Sequence, residues 1–198
     1  MSSELESLAG EPRPDGLLGH TIIRVYGAVV PGVQDYDVEH AGWGTGFAIS
    51  YGVARAVQVS LELAYYRFET VPAASIPESS TNSDRNAIRQ ATMSVGLQSP
   101  ARSWLRPWFG LGFGAYEVTE TQEGYAYYPT YPYRYVTSGT QLGINWGLGV
   151  SARLDQQLAI DVGGRYHHGF GRPFLETPNY WRDVRLFSVQ AGLSYMIH

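Results

Sequence analysis

The chain repeats one alternating pattern eight times, and the last repeat shows it most plainly. Its odd positions are Phe187, Val189, Ala191, Leu193, Tyr195 and Ile197; its even positions are Ser188, Gln190, Gly192, Ser194, Met196 and His198. A strand turns successive side chains to opposite faces. This stretch is therefore a strand with one apolar face and one small or polar face. The same division recurs upstream. Trp43, Thr45, Phe47, Ile49 and Tyr51 alternate with Gly42, Gly44, Gly46, Ala48 and Ser50. Leu142, Ile144, Trp146, Leu148 and Val150 alternate with Gln141, Gly143, Asn145, Gly147 and Gly149. Similar segments lie near 20–30, 56–66, 86–98, 105–116 and 158–170, and the one near 86–98 has its apolar face interrupted by Arg89.

The connections alternate in length. Short turns are expected at 52–55, 99–103 and 155–157. Longer loops are expected at 31–41, 70–84, 120–138 and 171–182. An even number of antiparallel strands, with short turns at one end and long loops at the other, predicts an all-β, eight-stranded, up-and-down transmembrane barrel. The pattern places the short turns and both termini in the periplasm and the long loops outside the cell.

The distribution of residue types decides between membrane and water. In a soluble sandwich or barrel the apolar face is the inner one, and the water-facing surface is heavily charged. Here charged residues are 16% of the chain, aromatic residues 14%, and there are 23 glycines. The polar face is too small and glycine-rich to meet water, so the apolar face is expected to meet lipid. No apolar run of about eighteen residues is present, as expected of strands that alternate. A net charge of −4 gives no nucleic-acid footprint. The chain has no cysteine, which removes disulfides and thiol chemistry. A soluble barrel holding an apolar ligand is the alternative architecture.

Residues 1–19 read as a flexible polar tail, and 20–198 as the barrel. The start is not a secretory leader, so a leader is expected to have been removed. Four charges fall on inward positions: Arg24, Glu62, Asp161 and Arg165. Two acids and two bases can neutralise each other inside a narrow barrel. The lumen is accordingly expected to be plugged and polar. The loop at 120–138 carries Tyr125, Tyr127, Tyr128, Tyr131, Tyr133 and Tyr135, which supply contact area at low entropic cost. His20 and His40 are isolated, no metal-ligand spacing stands out, and no cofactor is implied.

Three resemblances rest on particular residues. The order Gln190, Gly192, Tyr195, Ile197 resembles the C-terminal targeting signal of bacterial outer-membrane barrels, with His198 where the terminal Phe usually stands. The runs Pro107-Trp-Phe-Gly-Leu-Gly-Phe-Gly114 and Trp146-Gly-Leu-Gly149, with the last strand, resemble the outer-membrane protein A-type β-barrel domains. That resemblance implies an eight-stranded barrel of the bacterial outer membrane. It implies little about function; contact with lipopolysaccharide and phospholipid, an extracellular partner met through the loops, and a monomeric state are expected of such a barrel. The stretch Gly164-Arg-Tyr-His-His168, then Pro178-Asn179, then Asp183, resembles the tail of the lipid A 3-O-deacylase barrels. In that family His168 would be the general base and Asp183 the residue orienting it. The nucleophilic serine is replaced by Phe170 and the following Asn by Gly171. No catalytic residue is therefore assigned, and the expectation is a non-enzymatic barrel with a structural or surface-interaction role. A deacylase-like esterase with a degenerate site is the alternative.

Overall fold

A computed structural model describes residues 16–33, 42–69, 83–99, 104–126, 131–171 and 183–197. Eight strands follow one another: β1 (Thr21–Val33), β2 (Gly42–Ala54), β3 (Val57–Glu69), β4 (Ser83–Gln98), β5 (Leu105–Ala126), β6 (Tyr131–Arg153), β7 (Leu158–Gly169) and β8 (Val184–Ile197). Each pairs antiparallel with its neighbour, and β8 returns to β1 to close the barrel. Closure removes the open sheet edge that lipid could not satisfy.

The face assignment follows from exposure. Leu61 is 57% exposed, Leu111 55%, Phe113 60% and Leu148 55%. The glycines, serines and glutamines of the alternate positions point inward. A water-soluble barrel would bury the apolar set, so the architecture holding an apolar ligand inside is excluded. Aromatic side chains mark both borders of the apolar belt. Trp43 meets Tyr65 edge-on at 6.3 Å, and Trp146 lies 5.9 Å from Tyr166. Towards the turn end, Tyr51 stands opposite Thr21 and Tyr195 opposite Ile23. Arg89 sits beside the first of these girdles. It pairs with Glu117 at 3.3 Å on the outer surface, and its backbone lies opposite Tyr65.

Glycine on β2 makes room for an aromatic lumen. A Cβ on Gly46 would fall within the Tyr26 ring. The Tyr26 ring of β1 therefore packs directly over Gly46 on β2.

Three details differ from the sequence reading. Pro31 does not end β1; the strand continues to Val33, and its register against β8 shifts between Val29 and Gly32. The shift there accommodates Pro31, which has no N–H to donate to the ladder. The expected loop at 120–138 is mostly strand. β5 and β6 pair without a break from Leu105↔Ala152 to Ala126↔Tyr131. Alternating Val, Thr and Tyr favours extended backbone, and the ladder satisfies the amides that a loop would leave to water. β7 joins β6 only from Gly143↔Gly169 downward, so the β5–β6 hairpin extends past its β7 neighbour.

The third difference lies at the turn end. Residues 16–19, counted above in the tail, form a turn under the barrel; residues 1–15 lie outside the described set. Leu17 is buried to 1% exposure. Its N–H donates to the Arg55 carbonyl at 3.0 Å, and the Gly19 N–H donates to the Gly52 carbonyl at 2.8 Å. A methyl on Gly52 would collide with the Leu17 backbone. Gly52→Ala is expected to displace this cap and lower stability by roughly 1–3 kcal/mol, the usual range for overpacking. Urea unfolding in detergent and protease cleavage near residue 17 are the readouts; an unchanged midpoint and cleavage rate would show that the cap does not bear on the barrel.

Candidate functional site

Inside the barrel the side chains form two storeys. The turn-end half is polar. Arg24 Nε donates to Asp161 Oδ2 at 3.2 Å. Near mid-depth, Glu62 and Arg165 form a second ion pair, with both residues buried. Glu62 Oε1 also accepts from Tyr26 Oη at 2.9 Å and from Gln90 Nε2 at 3.0 Å, while Oε2 faces Arg165. The four inward charges thus form two pairs. Strand parity identified which residues face inward; the barrel register selects which acid meets which base.

Above this level three aromatic groups meet, none of which carried an assigned role in the sequence. His167 is fully buried between Tyr66, with ring centres 6.0 Å apart, and Tyr116, at 5.9 Å. Tyr116 Oη lies 3.3 Å from His167 Nδ1. Gln190 Nε2 donates to Tyr66 Oη at 3.3 Å and to Ser188 Oγ at 3.2 Å. Alternation puts His167 on the inward face, but nothing in a linear pattern brings β3, β5 and β7 together around it.

The loop-end half is apolar, which corrects the expectation of a polar lumen throughout. Val30, Phe68, Ile88, Val118, Val184 and Leu186 are buried there. Inward positions near the loop end carry large apolar residues, so that storey is a packed core. An eight-stranded barrel is narrow enough for side chains to fill, and here they fill it.

The rim holds the second candidate. His168 Nε2 lies 3.3 Å from Asp183 Oδ2, and Asp183 Oδ1 accepts the Gly171 N–H at 2.7 Å. The structure therefore brings the two residues of the deacylase-like pattern together. Where that pattern has its nucleophile, Phe170 stands instead, its ring centre 5.0 Å from that of His168. The Gly171 N–H and then His168 hold the Asp183 carboxyl below the ordinary aspartate range. A carboxyl with a depressed folded value stabilises the rim above its unfolded pKa, and that contribution is lost as pH falls through the folded value. Carboxyl NMR should place the Asp183 midpoint below that of an unstructured aspartate, and Asp183→Asn should speed exchange of the Gly171 amide. A normal midpoint would show that the contact does not persist in solution.

Of the loop tyrosines, Tyr125 lies in β5 and Tyr131, Tyr133 and Tyr135 lie in β6, while Tyr127 and Tyr128 fall outside the described residues.

A closed β-barrel with an apolar outer belt, aromatic borders and a filled interior defines a transmembrane barrel protein. The sequence profile of the outer membrane protein beta-barrel domain matches residues 14–196, and the chain belongs to that family, a β-barrel of the bacterial outer membrane. No curated protein matches it in sequence. Solved structures share its fold at low identity. Neisserial surface protein A superposes with a TM-score of 0.58 at 16% identity, covering 89% of this chain and 98% of that one. The attachment invasion locus protein of Yersinia pestis, solved with the heparin analogue sucrose octasulfate, gives 0.55 at 13%, covering 91% and 99%. OprG from Pseudomonas aeruginosa gives 0.55 at 13%, covering 93% and 99%.

Proposed function

We propose that this chain is a closed, monomeric, non-enzymatic outer-membrane barrel that acts through its loop end, above all through the β5–β6 hairpin. Its outer belt contacts phospholipid and lipopolysaccharide. The filled lumen carries this reading: the Glu62–Arg165 pair and the apolar storey above it leave solutes no wide path. The tyrosines at 125, 131, 133 and 135 belong to strands that extend past β7. The Yersinia relative was solved with a polyanion. The extension here carries Glu117, Glu120 and Glu123 against Arg134, so a polyanion is not the expected partner.

Planar bilayer recording tests the closed lumen. The wild-type chain should show no steady conductance. Porin-sized current steps would sink the closed-barrel reading.

One observation favours a second reading, the contact between His168 and Asp183 at the rim. Lipid A incubated with the protein should keep all its acyl chains, as judged by mass spectrometry. Loss of one chain, abolished by His168→Ala, would establish an esterase instead.

A further inference from the structure

His167 is fully buried in the lumen, and no carboxylate touches it among the described residues. Its ring stands between Tyr66 and Tyr116, with Asn145 opposite it on β6 and Leu186 opposite it on β8. Neither tyrosine depends on it for a hydrogen-bond partner. Tyr116 Oη also reaches the Ile144 carbonyl at 3.4 Å, and Tyr66 Oη accepts from Gln190 Nε2. Of the two imidazole nitrogens, Nδ1 faces Tyr116 Oη and Nε2 meets no partner. A buried polar atom left unmatched is costly, and an apolar ring of similar size would avoid that cost. Packing of the closed barrel therefore gives no reason for a histidine here.

The surroundings decide what a proton would do. Titratable and charged groups near the imidazole are Tyr26 on β1, Glu62 and Tyr66 on β3, Tyr116 on β5 and Arg165 on β7. Among the described residues at this level, β2, β4, β6 and β8 supply none. Arg165 lies two positions before His167 on the same face of β7, about 7 Å along the strand. Of the two buried acids, Asp161 is held by Arg24 in the turn-end storey, and Glu62 is held by Arg165, Tyr26 and Gln90. An imidazolium at position 167 would be a second buried cation beside the first, with no carboxylate of its own. Such a charge persists only where water reaches it. Directly above lies the apolar storey that contains Leu186 and Val118. Hydrophobic constrictions close by excluding water, and a cation at their border favours the wetted form.

We propose that His167 is an acid-operated latch of the lumen. Uptake of one proton parts the Tyr66 and Tyr116 rings, wets the apolar storey and turns the closed barrel into a conducting one. This inference rests on the closed lumen proposed above. An ionisable residue held inside a membrane-spanning structure is expensive to keep, and histidine is the side chain whose ordinary titration falls between about pH 5 and 8.

Planar bilayer recordings of the full chain from about pH 7.5 down to about 4.5 test the latch. One proton taken up on opening makes the open fraction rise about tenfold for each pH unit below the ordinary histidine value of about 6.5. His167→Gln keeps a polar group beside Tyr116 but takes no proton, and it should flatten the rise. His20→Gln, at the turn end, should leave the rise unchanged. Heat-modifiable gel mobility checks that each variant is folded. Should His167→Gln fail to fold, ring-nitrogen NMR of the wild-type chain decides in its place: the His167 imidazolium signal should grow in step with the open fraction. Current steps as frequent at neutral pH as in acid would sink the closed lumen and the latch with it. Silence at every pH, an equal rise in the His167→Gln chain, or opening without an imidazolium at position 167, would overturn the latch alone and leave the closed lumen standing.

Discussion

Replacing Glu62 with alanine should lower the unfolding free energy by about 3–5 kcal/mol, the usual cost of removing one partner of a buried ion pair. The mechanism lies in what is left behind. Arg165 would stay charged in the barrel interior without its counter-ion, and the Tyr26 hydroxyl and Gln90 amide would each lose an acceptor. Glu62→Gln keeps most of the acceptor geometry and should cost less. Replacing both Glu62 and Arg165 with leucine should recover much of the loss, because neither charge is then stranded. Urea unfolding in lipid vesicles measures all three, and bilayer conductance gives a second readout, since a stranded guanidinium draws in water. If Glu62→Ala unfolds at the wild-type midpoint and stays silent in the bilayer, the pair neither stabilises nor seals the lumen.

The second large effect belongs to the outside. Leu61 lies on β3 between the levels of Tyr51 and Tyr65, opposite Ile49 and Met93, and its side chain faces out. Leu61→Arg places a charge near the midplane of the hydrocarbon and should cost about 2–4 kcal/mol. Val53→Arg places the same charge beside the turn end, where the penalty falls to about 1 kcal/mol or less. The contrast between the two positions is the test. Equal and small penalties would show that this belt is not embedded in lipid.

The fold was legible because period-two alternation carries almost all the information a barrel needs. It fixes which residues face out, how many strands exist and where the short turns fall. It is silent on matters decided by three-dimensional closure. The stretch at 131–135 reads as a loop because proline and tyrosine dominate it, yet cross-strand pairing with β5 holds it extended. Leu17 reads as tail because a single leucine among polar residues has no period; the collar of Gly52 and Arg55 buries it. In the lumen, Arg24, Glu62, Asp161 and Arg165 were visible as inward charges. Their pairing depends on the stagger between strands, which no one strand encodes. His168 and Asp183 were visible through the resemblance to the deacylase tail, and the pairing of β7 with β8 brings them within 3.3 Å.

The Glu62–Arg165 contact has a consequence for assembly. It joins β3 to β7, strands that lie on opposite sides of an eight-membered ring. In a sheet that has not yet curled shut, these two residues are held apart by the strands between them. The pair can form only once β1 and β8 have met. A partly inserted sheet therefore carries Glu62 and Arg165 unpaired towards its future interior, and the finished cylinder pairs them. Neutralisation across the diameter is a reward available only to the complete ring, which favours all-or-none closure over the accumulation of half-open forms.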